Sequence, residues 1–365
     1  FTLTWQTTEL TIKHFETEHS VYGNASLQGT ANFIAPYTLN VTTLSTLKNI
    51  DLFSLFDGTK QDVQLNGDLS ALAFTSKLTG NIELTATGQL DLTQESLPFT
   101  SNITLSKHPE LDRFLPENTP VKASLTANGD INKQQLMING ELSAYGYQNA
   151  ELTIQASHQA NNLTLDKVTF NDKQTKSELR LQGNVNYSDE LSWHLTLTSS
   201  GFTLPAIQSQ YADINGRLSG NIDIAGVNSS QKWSLQLKKS AIQGIINDLP
   251  VTAVGDIELD NVQLSSLQLD SFQLDKLNNI EDVSQWQLKP SHLMLIAGDT
   301  TLEMNGFTDQ GWHVSGVLSV PDLAQLITDS RGELTSTFSI TGAITQPNFA
   351  FNNHLSHLYW QNIAS

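Results

Sequence analysis

The sequence contains no cysteine, few charged residues and no long apolar run. Without cysteine, a disulfide framework and thiolate metal sites are excluded. Its longest apolar stretch, LMLIA at residues 293–297, is far shorter than the ~18 residues of a membrane-spanning helix. Charged residues make up 15%, the net charge is -18, and no stripe of Lys or Arg occurs. This charge makes nucleic acid and anionic headgroups poor general partners, because the field repels phosphates, and we expect no nucleic acid partner.

A two-residue alternation of apolar and polar side chains runs through most of the chain. The segment LSWHLTLT at residues 191–198 places Trp193, Leu195 and Leu197 on one side and His194, Thr196 and Thr198 on the other. This period is typical of a β-strand with one dry and one wet face. The same alternation places further apolar residues in strands, namely Leu152, Ile154, Leu179, Leu181, Trp233, Leu235 and Leu237.

The sequence contains signals for hairpin turns and for a few short helical segments. Asn-Gly pairs predict hairpin turns between antiparallel strands, at residues 66–67, 128–129, 139–140, 215–216 and 305–306. The chain lacks the regular β-to-α alternation of a parallel sheet. Four short segments predict helical turns, beginning at Asn49, Pro109, Leu204 and Pro321. We therefore expect an antiparallel all-β meander with a few helical turns.

A degenerate repeat recurs along the chain at variable spacing. Each copy is an apolar alternation that ends in glycine, at Gly67, Gly129, Gly226 and Gly342. Seven residues later stands a large apolar residue, namely Phe74, Leu136, Trp233 and Phe349. The spacing does not fit a fixed-period solenoid. We expect one continuous elongated segment over residues 1–365, with no separate domain.

One stretch, NVQLSSLQLDSFQLDKL at residues 261–277, restarts its apolar pairs every five residues. Each restart flips the parity of the strand, which a β-bulge would explain because it adds one residue. A repeatedly bulged strand curves, so this stretch predicts backbone wrapped around an apolar interior. The inward residues would be Val262, Leu264, Leu267, Leu269, Phe272 and Leu274.

The last fifty residues carry a recognisable pattern. It consists of Asp322, Leu323 and Leu326, then Gly332 and Leu334, then Gly342, Pro347, Trp360 and Gln361. This pattern resembles the repeating segment of the TamB-like branch of the AsmA superfamily, and earlier copies preserve it only in part. The resemblance implies a long sheet folded into an open, apolar-lined trough, the β-taco.

The resemblance also implies a function and a location. Family members are anchored to the inner membrane of Gram-negative cells, lie in the periplasm and carry phospholipid toward the outer membrane. TamB-type members pair with the outer-membrane barrel TamA. We expect this chain to be an internal stretch of the trough, with the anchor and the TamA contact elsewhere, and its apolar residues to contact acyl chains. An inner face filled by its own side chains, as in an extracellular stalk or adhesin, stays the alternative.

No catalytic motif or cofactor fingerprint is present in the sequence. His354 and His357 are three residues apart, which on a strand places them on opposite faces, so a metal site is not expected. We expect no enzyme activity, cofactor or metal. Trp193, Trp233, Phe272 and Phe349 fit lipid contacts and ordinary core equally well.

Overall fold

The chain forms antiparallel β-structure throughout the part that a computed structural model describes. The described residues are 2–19, 23–47, 58–107, 122–143, 147–188, 190–204, 215–229, 233–261, 286–289, 291–308, 311–325 and 330–360. They contain 23 strands, and the sheet is open. The predicted all-β, antiparallel fold class is confirmed. The chain divides into two compact units, Phe1–Gln174 and Thr175–Ser365.

Unit 1 is a meander of twelve strands in which each strand pairs with its sequence neighbours. The strands are β1 Thr2–Trp5, β2 Glu9–His19, β3 Gly23–Asn32, β4 Thr38–Leu47, β5 Lys60–Asp68, β6 Leu72–Thr79, β7 Glu83–Leu90, β8 Phe99–Lys107, β9 Lys122–Gly129, β10 Lys133–Leu142, β11 Ala150–Gln159 and β12 Asn162–Asp172.

Unit 2 continues the same pattern with eleven strands. They are β13 Ser177–Tyr187, β14 Leu191–Leu204, β15 Gly216–Asn228, β16 Trp233–Ile246, β17 Leu249–Asn261, β18 Trp286–Leu288, β19 Ser291–Ala297, β20 Thr300–Thr308, β21 Trp312–Val320, β22 Ser330–Ala343 and β23 Gln346–Trp360. The long strand β17 pairs with β18 near one end and with β19 near the other. The remaining strands pair in sequence order.

The four sequence repeats are four hairpins: β5–β6, β9–β10, β15–β16 and β22–β23. In three of them the large apolar residue pairs with the residue two before the glycine. Thus Phe74 lies opposite Leu65, Leu136 opposite Ala127 and Phe349 opposite Ile340. Trp233 lies opposite Asn228 instead, because β15 continues two residues past Gly226 before the chain turns.

The prediction of hairpin turns at Asn-Gly pairs is wrong at two positions. Asn139-Gly140 and Asn305-Gly306 lie inside β10 and β20, paired on both sides. At Gly306 a side chain would collide with Val314 on the next strand, so the glycine serves close strand packing there. The pairs at residues 66–67 and 128–129 end their strands, just before turns at residues 69–71 and 130–132.

β-Bulges occur where the sequence parity of apolar residues changes. In β16 the register against β17 shifts between Leu237 and Ser240, so Leu235 and Leu237 before the shift and Ile242 after it all keep to one face. Similar shifts occur in β2 and β14. The pentad stretch that predicted such bulges lies outside the described residues, apart from Asn261 at the end of β17.

Helical structure in the described part is one short 3-10 helix, Leu323–Gln325, within the helical turn predicted from Pro321. Its Leu323 is buried, and the Asp322 carboxylate accepts a hydrogen bond from the Ala324 backbone N–H at 3.0 Å. The other three predicted helical segments lie outside the described residues, apart from Gly58 at the end of the first and Leu204 at the end of β14. In the described part of the chain, no helix has the length and hydropathy needed to cross a bilayer.

Candidate functional site

One face of the unit 1 sheet is apolar from β2 to β12. Because directly paired residues of antiparallel strands share a face, the pairing register joins alternate residues into rows across the sheet. The central row runs Phe15, Leu27, Thr43, Val63, Ser76, Ala86, Ile103, Leu125, Ile138, Ile154 and Val168. No residue of this row is charged. We call the side of the sheet that carries it the apolar face.

Unit 2 has an apolar face of the same kind. One row runs Val185, Trp193, Gly226, Leu235, Leu259 and Leu288. A second row runs Gly255, Leu293, Met304, Gly316, Phe338 and Phe351. Both rows consist of uncharged residues, so the apolar face of this unit also extends over many strands.

The opposite side of each sheet, the polar face, carries hydrogen-bonding and charged side chains. In unit 1 a polar row runs Gln28, Thr42, Gln64, Thr75, Thr87, Asn102, Thr126, Met137, Gln155 and Lys167. Thr126 donates to Asn102 across the strands at 3.1 Å. In unit 2 Thr196 donates to the Asp223 carboxylate at 2.9 Å. These hydrogen bonds link neighbouring strands on the polar face.

Charged pairs accompany the polar side chains. Lys173, in the turn after β12, donates to the Glu151 carboxylate at 2.6 Å. The hydrogen bond and the negative charge of Glu151 together raise the pKa of Lys173. Both side chains are more than half exposed, so water screens the pair. This ion pair therefore lies on the polar side of the sheet, and the apolar rows contain no charged residue.

The apolar face is only half covered. Along β10 the side chains alternate between exposed residues of the polar face and half-buried residues of the apolar face, such as Leu136 and Ile138. Only eleven apolar side chains in the described part are buried. Elements that make extensive contacts in the described part are mostly strands paired in the sheet. The two other contacting pairs are β18 with β20 and the 3-10 helix with β22. Every described strand belongs to one sheet, and most apolar-face side chains of each unit stay partly exposed, so the face lacks the full burial of a packed core.

Aromatic rings on the apolar face lie over glycines of the adjacent strand. Trp193 pairs with Gly226, Phe74 with Gly88 and Phe338 with Gly316. A Cβ atom at Gly88 would lie 2.6 Å from the Phe74 ring, and one at Gly316 would lie 2.6 Å from Cε1 of Phe338. The missing side chain lets each ring lie against the backbone of its neighbour. Each ring therefore packs against the neighbouring strand and does not project away from the apolar face.

The structure brings together the residues that alternation had placed inward. Leu152 and Ile154 lie on the apolar face of unit 1, opposite Phe170 and Val168. Those of unit 2 share one face, namely Leu179, Leu181, Trp193, Leu195, Leu197, Trp233, Leu235 and Leu237. Val262, Leu264, Leu267, Leu269, Phe272 and Leu274 lie outside the described residues. That these side chains line a lipid groove stays a prediction.

Sequence reasoning did not single out much of the apolar face. The central residues of unit 1, such as Ile103, Leu125 and Ile138, were not named, nor were Met304, Phe338 and Phe351 of unit 2. Each sits in a two-residue alternation, for example ITL at residues 103–105. The signal was present but short, and only the pairing register shows that these strands join in one face.

No group of three or more His, Asp or Glu side chains with the spacing of a metal site occurs among the described residues. His354 lies opposite Thr335 in the β22–β23 pairing, while the Nδ1 atom of His357 lies 3.9 Å from a Glu333 carboxylate oxygen. The candidate site is the apolar face, an extended surface formed by many strands.

Comparison with known proteins points to one family. Residues 1–365 match the family model described as TamB, N-terminal domain. The translocation and assembly module subunit TamB of Haemophilus influenzae is 23% identical over 364 residues. That alignment covers 97% of this chain and 25% of the relative, so the chain spans about a quarter of the length of that protein. The family match over the whole chain shows that it belongs to the TamB N-terminal domain family.

Proposed function

We propose that the apolar face of each unit holds phospholipid acyl chains and conducts them between membranes. The supporting observation is a neutral apolar face that extends over many strands and, in the described residues, is only partly buried. A sheet with one apolar face normally buries that face against a second layer. An apolar ligand would supply the missing cover.

The energetics of lipid transfer fit such a surface. An acyl chain of about sixteen carbons loses roughly 12 kcal/mol of hydrophobic stabilisation when it leaves a bilayer for water, at about 0.8 kcal/mol per methylene. A carrier must therefore contact the chain along its whole length. The uncharged rows offer this contact over successive strands, and their similar residues would let a chain move along the face without a deep energy minimum.

The setting of this activity is also a proposal. The relative is named as a subunit of a translocation and assembly module. We place this chain in the periplasm of a Gram-negative cell, in a protein tethered to the inner membrane, with the barrel TamA as its outer-membrane partner. Its role there is to carry phospholipid for outer-membrane assembly. We propose that it works without catalysis and without a cofactor.

Site-specific photo-crosslinking in cells tests the assignment of the two faces. A photoreactive residue at Leu195, which lies between Gly183 and Ile224 on the apolar face, should capture phospholipid. The matched position is Thr196, whose side chain bonds Asp223 on the polar face. In unit 1 the same comparison uses Ile154 and Gln155, which point to opposite faces of β11.

Capture at Leu195 and Ile154 but not at Thr196 and Gln155 is the expected result. Equal capture on both faces, or capture on the polar face alone, would contradict the proposal. A self-packed stalk would capture no lipid at any of the four positions and would carry none through purification. Mass spectrometry of the purified chain therefore separates the two functions.

A further inference from the structure

A cluster of exposed aromatic and aliphatic side chains lies at one edge of unit 1. It is formed by Trp5 at the end of β1 and by the turn between β3 and β4, in which Phe33, Ile34 and Tyr37 are 46%, 55% and 49% exposed. The Trp5 and Phe33 rings stack with their centroids 5.1 Å apart. Leu3, on the same strand as Trp5, is 44% exposed. We call these five residues the aromatic tip.

Hydrogen bonds fix the aromatic tip in place. The Phe33 N–H donates to the Thr8 carbonyl at 2.8 Å, which joins the β3–β4 turn to the β1–β2 turn. The Tyr37 N–H donates to the Ile34 carbonyl at 2.8 Å, and the Ile34 N–H donates to the Asn32 side chain at 2.9 Å. The exposed side chains are therefore displayed by an ordered turn, so little conformational entropy would be lost on binding.

Neighbouring turns at the same edge also expose aliphatic residues, such as Leu92 and Ile131, but they expose no aromatic ring and they carry charge. The turns that follow β5, β7 and β9 each contain an aspartate that accepts hydrogen bonds from the turn, namely Asp68, Asp91 and Asp130. The aromatic tip has no such aspartate, and the sequence from residue 20 to residue 47 contains no charged residue. A turn that only reverses the chain would not need an aromatic, uncharged surface exposed to water.

We propose that the aromatic tip inserts into the interface of a neutral phospholipid bilayer. Trp and Tyr favour the boundary between headgroups and acyl chains, while Phe, Ile and Leu favour the acyl region beneath it. The tip carries no cation to attract anionic headgroups, and the acidic chain as a whole repels them. A zwitterionic surface is thus the membrane that matches its charge.

The position of the tip connects it to the apolar face. Trp5 pairs with Leu10, and Leu10 pairs with Ala31, so the indole ring stands at the margin of the apolar face of unit 1. An acyl chain leaving the bilayer beside Trp5 would meet apolar side chains at once. This inference deepens the proposed function, because it names the membrane contact at which lipid would enter or leave the face.

Vesicle flotation with the full chain tests the tip. Wild-type chain should float with phosphatidylcholine vesicles, and the triple variant Phe33→Ser, Ile34→Ser, Tyr37→Ser should partition at least about tenfold more weakly, because three apolar side chains are lost. The matched control is the double variant Leu92→Ser, Ile131→Ser, which removes side chains 41% and 60% exposed in other turns of that edge. The control should bind vesicles like the wild type.

Two further measurements keep the test decisive. If the triple variant does not fold by circular dichroism, the single variant Ile34→Asp replaces it, with the same expected direction. Quenching of tryptophan fluorescence by brominated lipid should fall in Trp5→Phe. The inference would be overturned if the wild-type chain did not bind neutral vesicles. It would also be overturned if the tip variants bound vesicles as tightly as the control variant does.

These experiments distinguish a failure of the aromatic-tip inference from a failure of the proposed function. Lipid found by mass spectrometry in purified chain, together with unaffected vesicle binding by tip variants, would overturn the tip while leaving the lipid-holding face in place. Tip-dependent vesicle binding by a chain that neither carries nor crosslinks lipid would support the tip and contradict the proposed function.

Discussion

Position 226 is a glycine, and any side chain added there would collide with Trp193 on the neighbouring strand. A Cβ atom there would lie 2.5 Å from Cε2 of Trp193 and 2.6 Å from the Ser234 carbonyl oxygen. We predict that Gly226→Val lowers the free energy of unfolding by about 2–3 kcal/mol, because overpacking forces the indole out of its position. Hydrogen exchange of the amides in β14, β15 and β16 measures this loss locally.

Gly140 provides the control for this prediction, since it also lies inside a paired strand. The nearest atom to a Cβ there would be the Lys122 carbonyl oxygen at 3.5 Å, which is ordinary contact. Gly140→Ala should therefore change stability by less than about 0.5 kcal/mol. A similar loss in Gly226→Val and Gly140→Ala would show that the ring is not what requires the glycine at residue 226.

Asp91 makes the turn between β7 and β8 sensitive to pH. The Thr93 hydroxyl donates to its carboxylate at 2.5 Å, the Thr93 N–H at 2.9 Å and the Gln94 amide at 2.6 Å. These bonds, the hydroxyl first, lower the pKa of Asp91 below its ordinary value of 3.8. The ionised group thus stabilises the fold fully above pH 3.8, and this contribution disappears as the pH falls through the lower folded-state pKa.

We predict that the melting temperature of Asp91→Ala lies below that of the wild type at pH 6 and that the gap closes as the pH is lowered toward 2. Thr93→Ala should show part of the same pH dependence, since it removes the hydroxyl donor. Scanning calorimetry over this range measures both. A gap that stays constant with pH would show that the carboxylate charge does not support the turn.

Arg217 joins the first elements of unit 2 into one structure. Its guanidinium donates to the carbonyl oxygens of Thr175 and Lys176 at 2.7 and 2.6 Å, from a position on β15 two strands away. It also approaches the Thr203 hydroxyl on β14 at 3.4 Å. A planar fork suits two adjacent carbonyls, and a lysine ammonium cannot reproduce it.

We predict that Arg217→Lys lowers the local stability of β13 by about 1 kcal/mol, a value reduced because the group is exposed. Hydrogen exchange of the Ser177–Tyr187 amides gives the measurement. Arg180→Lys is the matched control, because the exposed Arg180 side chain bonds the Glu178 carboxylate on the same strand and not a pair of backbone carbonyls. Equal effects of the two changes would argue against a special role for the fork.

At the level of strands, the sequence predicted well which side chains share a face of the sheet, but it predicted poorly where the turns between strands lie. Alternation places Trp193, Leu195 and Leu197 on one face, because the strand period is fixed by backbone geometry. It misplaced two hairpin turns, since Asn-Gly pairs also occur where a strand needs a glycine for close packing. Bulges such as that after Leu237 were visible only as a change of parity.

For the molecule as a whole, what sequence could not decide was whether the apolar face is covered. Alternation predicts one dry side for each strand but does not say what makes it dry, because a second layer, a closed barrel and a ligand all satisfy it. The register supplies the missing information. It joins residues as distant in sequence as Phe15 and Val168 into one row, most of whose side chains stay partly exposed.

An uncovered face predicts a particular response to a buried charge. Ile103 lies between Ala86 and Leu125 in the central row and is half-buried, while Thr104 follows it on the polar face. In a packed core, Ile103→Asp would cost more than about 4 kcal/mol. On an open face the carboxylate stays hydrated, so we predict a loss of only about 1–2 kcal/mol from the missing apolar surface.

The same substitution should have a large effect on lipid binding, because acyl chains would have to pass a hydrated charge in the middle of the row. We expect Ile103→Asp to retain much less phospholipid than Thr104→Asp when each purified chain is extracted and quantified by mass spectrometry. Urea unfolding of the same samples gives the stability comparison. A severely unfolded Ile103→Asp variant would indicate a packed interior, whereas a folded variant with unchanged lipid content would show that lipid does not occupy this row.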